Sequence, residues 1–422
     1  MDMEFFIRKT KEYFTSMNEI HPEIQENIKQ QLHAAAQGNQ QAKEILARQL
    51  ESHFVYNRWT PSASLYPNVP IYLSLIYRTF GQMVLDAVLF QSPFIENVWI
   101  FENRPVEYTE HGILKTYPYI PTSEEVEVLQ NEVAHLTGGT LHAKRSALSG
   151  EIKQNRLRIQ MYCPPRSIRT IIVRIPDKGY LTLETMEMDQ KIRNLLREIG
   201  RSRASIAIAG GMDTGKTTLL RSLILEKDPQ TNTLTVIEQV PELGIGEIWG
   251  KVVVEKCYVE EEPFEVMYGH SFRNSTRSLA VGEMRYPFEA HYVTESALRA
   301  PGFTFTSLHL KVVSPKDAMR TFESLVYQYR KSDREGIRQD IAGGLDLFIM
   351  LEKDYHSGKR YVSSVFCPYL NDKNQLDAKH LVYRDKNGNY VWTGEKIPAE
   401  KRGLFESEPD VNIDALQQLG VW

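Results

Sequence analysis

Cysteine is scarce in this sequence, since only Cys163, Cys257 and Cys367 occur among 422 residues. The three lie far apart and form no C-x-x-C pair, which argues against both a disulfide framework and a zinc site. We therefore expect three reduced thiols in hydrophobic cores.

Long apolar runs, a leader segment and an excess of positive charge are also missing. The richest apolar stretch is interrupted by Arg78 and Asp86, so no bilayer-spanning helix is predicted. The first residues lack the basic and apolar regions of a signal peptide, which argues against secretion. Fifty basic and 54 acidic side chains give a net charge of −4, so no global field attracts nucleic acid or an anionic membrane.

The composition that remains, 42% hydrophobic and 25% charged, is that of an ordinary folded protein of two or three domains. Apolar spacing predicts two amphipathic helices in residues 1–56 and a buried helical stretch at 71–90. The other elements predicted for the first half are a β-hairpin over 98–109, a helix starting near Pro121, extended segments at 157–162 and 170–175, and a helix over 183–199.

From Ser205 onward, short apolar strands alternate with helical segments, a rhythm that is typical of an α/β sheet. Ser314 and Pro315 predict a helix start, because a hydroxyl suits the N-cap and proline suits the first helical position. The strands predicted here are 206–208, 234–237, 279–281, 303–306 and 347–351.

A phosphate-binding pattern, G-x-x-x-x-G-K-[ST], lies between the first of these strands and a helix predicted for 217–226. Its glycines let backbone amides approach phosphate groups, and the helix N-terminus adds the positive end of its dipole. Lys216 is predicted to contact the β- and γ-phosphates of ATP, and the Thr217 hydroxyl to bind Mg²⁺. The predicted nucleotide-binding residues are Gly210, Gly211, Met212, Asp213, Thr214, Gly215, Lys216, Thr217 and Thr218.

Two glutamates, Glu238 and Glu283, directly follow predicted strands. Open parallel sheets bind ligands at the carboxyl ends of their strands, so both carboxylates are predicted to face the nucleotide. One of them would hold Mg²⁺, directly or through water, while the other would orient the attacking water. A glutamate at a strand end can also be a solvated residue with no role.

Four sequence boxes occur in the order Gly210–Thr217 (Walker A), Val236–Leu243 (Asp box), Ser271–Arg285 (Walker B region) and Gly302–His309 (His box). Together they resemble the boxes of the secretion ATPases, the family that powers type II and type IV secretion, type IV and tight-adherence pili, and conjugation. The resemblance extends over roughly residues 98–366 and is densest after residue 205.

The resemblance implies a RecA-like P-loop C-terminal domain that follows a smaller α+β domain and a helical N-terminal extension. It also implies a homo-hexameric, Mg²⁺-dependent ATPase of the cytoplasm that contacts the cytoplasmic face of the membrane peripherally. The implied partners are an integral membrane platform protein and other secretion or pilus components. No direct nucleic-acid binding is expected, and we expect the helical extension to dock on the platform or on a neighbouring subunit. The expected bounds are 1–95 (extension), 96–180 (α+β domain and basic linker), 181–370 (ATPase domain) and 371–422 (tail of unknown role).

The same resemblance implies roles for single residues. Glu238, Glu283 and Lys216 would act in hydrolysis, and Glu242 would support the Asp box. The γ-phosphate side would be shaped by Arg273, Arg285 and His309. Without the resemblance, a histidine after a strand would be assigned a structural role.

Four residues depart from the family pattern: Met212, Asp213, Gln239 and Arg277. Asp213 places a carboxylate beside an anionic ligand, which costs Coulomb energy unless the side chain points outward. Gln239 replaces the usual Asp of the Asp box, and this change predicts slow turnover if that acid is needed.

The segment from Lys144 to Arg174 contains eight basic residues against one acid. This bias predicts an anionic partner, either the triphosphate or a nucleic acid, or else a merely solvated basic face. For the triphosphate, the candidates are Arg158, Arg169 and Arg174.

Three other functions stay open at this point. A nucleic-acid translocase would share the P-loop, a nucleotide-dependent scaffold would bind ATP with almost no turnover, and a small-molecule kinase would transfer phosphate without forming a ring.

Overall fold

The computed structural model describes residues 2–16, 22–152, 157–175, 181–238, 242–249, 253–257, 264–273, 276–310, 314–331 and 333–422. The chain divides into two compact units, Met1–Lys178 and Gly179–Trp422. Within the described ranges, no helix is both long enough and apolar enough to cross a membrane.

The first unit begins with helices. The prediction of two helices in residues 1–56 is wrong, because a further helix precedes them, and its buried side chains, Phe6, Thr10 and Phe14, form only a short stripe. The helical stretch predicted at 71–90 is also interrupted, since Gly81 adopts an extended conformation. The described helices of this unit are α1 (Met3–Ser16), α2 (Pro22–Ala36), α3 (Gln40–Tyr56), α4 (Ile71–Phe80), α5 (Met83–Leu89) and α6 (Ser123–Leu136).

Six described strands form an antiparallel sheet in the order β3-β2-β1-β6-β5-β4. The predicted hairpin and the predicted strands at 157–162 and 170–175 are confirmed, and α6 begins with the expected cap at Thr122. The two edge strands were not predicted, and in β3 only Tyr117 is buried, so apolar alternation is lacking. The strands are β1 (Ile95–Phe101), β2 (Val106–Glu110), β3 (Ile113–Tyr117), β4 (Ala147–Ile152), β5 (Leu157–Tyr162) and β6 (Thr170–Arg174).

One hydrophobic core joins the N-terminal helices to this sheet. Phe54 of α3 and Leu85 of α5 belong to the same buried cluster as Val98 of β1 and Ile171 of β6. The helices before residue 95 therefore contribute to the stability of the unit that contains the sheet.

A nine-stranded sheet forms the centre of the second unit, in the order β15-β14-β13-β12-β7-β11-β10-β8-β9. The strands from β12 to β9 are parallel, and β13, β14 and β15 extend the sheet in antiparallel fashion. Each strand predicted after Ser205 is confirmed. The strands are β7 (Ile206–Gly210), β8 (Leu234–Glu238), β9 (Val253–Cys257), β10 (Ser278–Met284), β11 (Thr304–His309), β12 (Leu347–Lys353), β13 (Arg360–Leu370), β14 (Leu376–Arg384) and β15 (Tyr390–Trp392).

Helices cover both faces of this sheet, and the predicted α/β class is confirmed. The helix predicted over 183–199 begins later, because Asp189 caps it, and the cap at Ser314 is confirmed. The described helices are α7 (Gln190–Arg201), α8 (Lys216–Leu225), α9 (Ile245–Trp249), α10 (Phe264–Arg273), α11 (Pro287–Arg299), α12 (Pro315–Arg330), α13 (Arg334–Gly344), α14 (Ala399–Glu406) and α15 (Ile413–Gln418).

Residues 371–422 are part of this architecture. Leu381 of β14, Phe405 of α14 and Leu416 of α15 are fully buried in the cluster that also contains Ile206 and Ile208 of β7. Two of the three thiols, Cys163 and Cys367, are buried and free, and the side chain of Cys257 lies outside the described residues.

Candidate functional site

The turn between β7 and α8 has the backbone that a phosphate-binding loop requires. Gly215 precedes α8 with a φ of 88°, a left-handed conformation that favours glycine. A Cβ at Gly210 would lie 2.6 Å from the carbonyl oxygen of Leu351 and 2.7 Å from Thr214 Oγ1. Glycine is therefore required at both positions, and the N-terminus of α8 opens at the carboxyl edge of the parallel strands.

Polar side chains of the loop bond to its own backbone. Lys216 is buried, and its Nζ donates to the carbonyl of Gly211 at 2.7 Å. The Thr214 hydroxyl donates to the same carbonyl at 3.0 Å. Thr217 and Thr218 are partly exposed in the first turn of α8, and Met212 is 70% exposed.

The Asp213 side chain, which was expected to point outward to avoid a Coulomb cost, lies instead between two cations. Its Oδ2 lies 2.5 Å from Lys353 Nζ and its Oδ1 lies 3.1 Å from Arg360 Nη2. Burial favours a higher pKa for the Asp213 carboxyl, but these cations outweigh it and the pKa is lowered. Asp213 therefore stays ionised, with its charge compensated within the protein.

Neither cation was predicted from the sequence. Lys353 ends β12 and Arg360 begins β13, and the two residues lie opposite each other across this hairpin. The Ser357-Gly358 dipeptide between them is a turn signal that follows the predicted strand 347–351, so the hairpin was detectable. Its contact with Asp213, 140 residues earlier, was not.

Glu238 ends β8 and is buried, with 6% of its surface exposed. Its Oε1 accepts backbone hydrogen bonds from Glu242 at 3.1 Å and from Leu243 at 3.2 Å. The glutamate thus holds the backbone at Glu242 and Leu243, and Gln239 lies outside the described residues.

Glu283, near the end of β10, lies between a guanidinium and an imidazole. Arg285 Nε donates to Glu283 Oε2 at 2.8 Å, and His309 Nδ1 lies 3.8 Å from Glu283 Oε1. Burial and the Lys216 charge lower the pKa of His309, so its ring is neutral at pH 7. Burial favours a lower pKa for Arg285, but Glu283 and Glu242 raise it, which places Glu242 within electrostatic reach of this group.

The strand order brings these residues to one edge of the sheet. His309 is the register partner of Gly210 across β11 and β7, and Leu310 donates a backbone hydrogen bond to the Gly210 carbonyl at 3.0 Å. β10 and β8 follow β11 in the same parallel block, so Glu283 and Glu238 lie at the same carboxyl edge.

Four predicted arginines are carried by other elements of the chain. Arg273 is exposed at the end of α10. In the first unit, Arg169 forms an ion pair with Glu127 at 2.8 Å, and Arg158 of β5 is the cross-strand partner of Arg174 of β6. Their predicted contact with a triphosphate stays a prediction.

The oxygen ligands at this edge of the sheet suit a Mg²⁺ ion bound to a nucleotide better than a metal ion held by protein side chains alone. In the described part of the chain, no three His, Cys, Asp or Glu side chains group closely enough to hold an ion by themselves. Mg²⁺ characteristically takes one or two protein ligands and completes its shell with phosphate oxygens and water. The Thr217 hydroxyl and the nearby carboxylates fit that mode.

No protein-family model and no curated protein matches the chain in sequence. Several solved structures match it in fold. The ATPase DotB of Yersinia pseudotuberculosis is 14% identical with a TM-score of 0.50, over 85% of this chain and 88% of DotB. The Legionella pneumophila ATPase DotB is 19% identical with a TM-score of 0.48, and the match covers 69% of this chain and 81% of the Legionella chain.

A third solved structure is the pilus retraction motor PilT with bound ADP, which is 15% identical with a TM-score of 0.45, over 78% of this chain and 86% of PilT. Identities this low describe a likeness of fold. The resemblance predicted from the four boxes is confirmed at that level, and the chain, with a RecA-like C-terminal domain after a smaller α+β domain, shares the fold of the Yersinia ATPase DotB.

Proposed function

We propose that this protein is a Mg²⁺-dependent ATPase that powers secretion, pilus assembly or conjugative transfer. The observation that carries the proposal is the phosphate-binding turn at Gly210–Thr217, with Glu283 and His309 at the same sheet edge. The predicted homo-hexamer, its position on the cytoplasmic face of the membrane and its integral membrane platform partner belong to the same proposal.

In this proposal the loop binds the polyphosphate. The backbone amides before α8 and the Lys216 ammonium contact the β- and γ-phosphates, and Lys216 leaves the Gly211 carbonyl to do so. The Thr217 hydroxyl would hold Mg²⁺, which when bound would supply positive charge to offset the charge that develops on the leaving group.

Hydrolysis requires a water molecule in line with the γ-phosphorus. The Glu283 carboxylate, held by Arg285, accepts a hydrogen bond from that water and orients it. The water oxygen bonds to the γ-phosphorus while the bond from that phosphorus to the β–γ bridging oxygen breaks. ADP leaves with the bridging oxygen, and both protons of the water leave with the inorganic phosphate as H₂PO₄⁻. Glu238, which is buried and bonded to backbone amides, holds the adjoining segment in place.

The test is phosphate release with and without Mg²⁺, together with particle mass in the presence of ATP. Lys216→Ala should abolish nucleotide binding or turnover, whereas Glu283→Gln should bind ATP and stall. Wild-type turnover in the Glu283 variant would reject the assigned role. Hydrolysis that needs nucleic acid and falls steeply with salt would indicate a translocase instead.

One observation favours a second candidate, an ATP-binding scaffold with little turnover. Both Glu238 and Glu283 already have strong partners within the protein, so neither carboxylate is poised to act without rearrangement. ATP-dependent assembly with turnover equal in the wild type and in Glu283→Gln would support the scaffold.

A further inference from the structure

The β12–β13 hairpin places two cations where the phosphate-binding loop has its own carboxylate. Lys353 and Arg360 are register partners across the hairpin, and Asp213 lies between them at 2.5 Å and 3.1 Å. Asp213 also has a φ of 58°, a left-handed conformation that residues other than glycine adopt infrequently. The loop therefore combines an infrequent backbone conformation with a partly buried ionic contact.

Each charge in this cluster depends on the others. Like charges that face each other across two strands repel, and a buried ammonium is costly without a counter-ion. Only 3% of the Lys353 side chain is exposed, against 31% for Arg360. The Asp213 carboxylate satisfies both cations, so the cluster carries a net charge of one positive unit where Asp213 alone would carry a negative one.

Arg360 also holds the backbone of the loop. Its Nε donates to the Asp213 carbonyl at 2.9 Å, and its Cδ lies 3.4 Å from the position a Cβ would take at Gly215. The Arg360 side chain thus spans the loop from Asp213 to Gly215, which precedes α8, while its own strand, β13, pairs with β14 in the sheet.

We propose that Lys353 and Arg360 are positioning residues that compensate the charge of Asp213 and make the loop fit to receive a polyphosphate. This inference rests on the proposed ATPase function. Without the two cations, the phosphates would meet a carboxylate carried by the loop itself, and the Coulomb repulsion would weaken binding. The residues act through Asp213 and do not themselves contact the phosphates.

A double-mutant cycle separates this role from the alternatives. The probe is ATPγS, and its dissociation constant is measured for the full chain by calorimetry. Lys353→Met and Arg360→Gln, each leaving a less compensated carboxylate, should weaken binding by about tenfold. Combined with Asp213→Asn, each should return to within about threefold of wild type, because the uncompensated charge is gone.

Asp213→Asn alone should not weaken ATPγS binding, although it should lower the free energy of unfolding, since it leaves Lys353 buried without its counter-ion. Lys359→Met provides the matched control, because Lys359 lies on the same hairpin with 69% of its side chain exposed. Arg360 is the more exposed of the two cations, so its variants carry the test if Lys353→Met does not fold.

Double variants that bind as weakly as the single ones would overturn the inference, because the cations would then contact the nucleotide directly or serve only the fold. Single variants with wild-type affinity would overturn it as well. Wild-type protein that does not bind ATPγS would instead reject the proposed ATPase function, and this inference with it.

Discussion

The carboxylate of Glu238 lies directly against Gly282 on the neighbouring strand. A Cβ at Gly282 would be 2.7 Å from Glu238 Oε1 and 2.9 Å from its Cγ. Both residues lie near the carboxyl ends of strands that pair in parallel, β8 and β10. The glycine therefore leaves the space in which the buried glutamate reaches the amides of Glu242 and Leu243.

Gly282→Ala should displace the Glu238 carboxylate and disorder the segment it holds. We expect a loss of stability of about 1–3 kcal/mol from overpacking, and a fall in kcat about tenfold or larger. Urea unfolding and steady-state phosphate release measure the two effects. Gly403→Ala is the control, since no atom lies within 4 Å of its added Cβ; it should leave kcat unchanged and, because Gly403 lies within α14, raise the free energy of unfolding by about 0.5–1 kcal/mol.

Arg285→Met should free Glu283 from the guanidinium that fixes its carboxylate. Because this interaction concerns the attacking water and not the bound phosphates, kcat should fall about ten- to a hundredfold while ATP affinity stays the same. Arg277→Met is the matched control, since Arg277 precedes the same strand at its other end, where it donates to the Thr231 carbonyl. A loss of affinity with unchanged kcat would assign Arg285 to phosphate binding.

Much of the second unit could be predicted because the signals for its strands lie within short stretches of the sequence. The strands 206–208 and 279–281 are short apolar runs, and the ends of parallel strands meet at one edge whatever their order. The positions of Lys216, Glu238 and Glu283 follow from that geometry. Edge strand β3 of the first unit could not be predicted from a short apolar run, because four of its five side chains are exposed.

Long-range pairs could not be predicted at all. The Asp213 carboxylate was predicted to cost Coulomb energy beside an anionic ligand. The Lys353 and Arg360 side chains that compensate its charge lie about one third of the chain away in sequence. Lys43 and Asp86 likewise lie in separate predicted helices, and neither residue shows locally that it is buried. Burial of a charged side chain depends on which elements pack together, and a single sequence does not encode that in its periodicity.

The Lys43–Asp86 ion pair yields a prediction for the first unit. The Lys43 side chain is fully buried and that of Asp86 is 6% exposed, so Lys43→Met leaves a carboxylate buried without its cation. We expect a loss of about 3–5 kcal/mol, whereas Lys9→Met, which removes a more exposed pair with Glu12, should cost at most about 1 kcal/mol.

Hydrogen exchange locates the effect of Lys43→Met. Because α3 and α5 share one core with β1, amides of Ile95–Phe101 should exchange faster in this variant than in Lys9→Met. Equal exchange in both variants would show that the N-terminal helices unfold independently of the sheet. The same shared core means that deletion of residues 1–95 tests folding as well as docking on a membrane platform.

Lys227 makes the stability of the second unit depend on pH. The residue follows α8, its Nζ lies 4.4 Å from the centroid of the Phe303 ring, and burial lowers its pKa to about 7. In the unfolded chain the lysine keeps its proton to about pH 10, so above pH 7 the unfolded state binds more protons than the folded state. The free energy of unfolding should therefore rise with pH above pH 7, by about 1.4 kcal/mol per pH unit at most. Below pH 7 the buried amine is protonated in the folded state, so the folded state then bears the full cost of burying its charge.

Urea unfolding of the wild type and of Lys227→Met at pH 6.5, 7.5 and about 8.5 measures this slope as a difference between two proteins, so other titrating groups cancel. The variant should be more stable than the wild type at the lowest pH, because the methionine fills the site between Phe303 and Phe305 without a charge. The advantage should shrink as the pH rises and the wild-type amine loses its proton. Lys359→Met removes an exposed lysine, so its free energy of unfolding should change with pH in the same way as that of the wild type. A constant difference between wild type and Lys227→Met would mean that the buried amine keeps its proton throughout, held by the Ser202 carbonyl and the two rings.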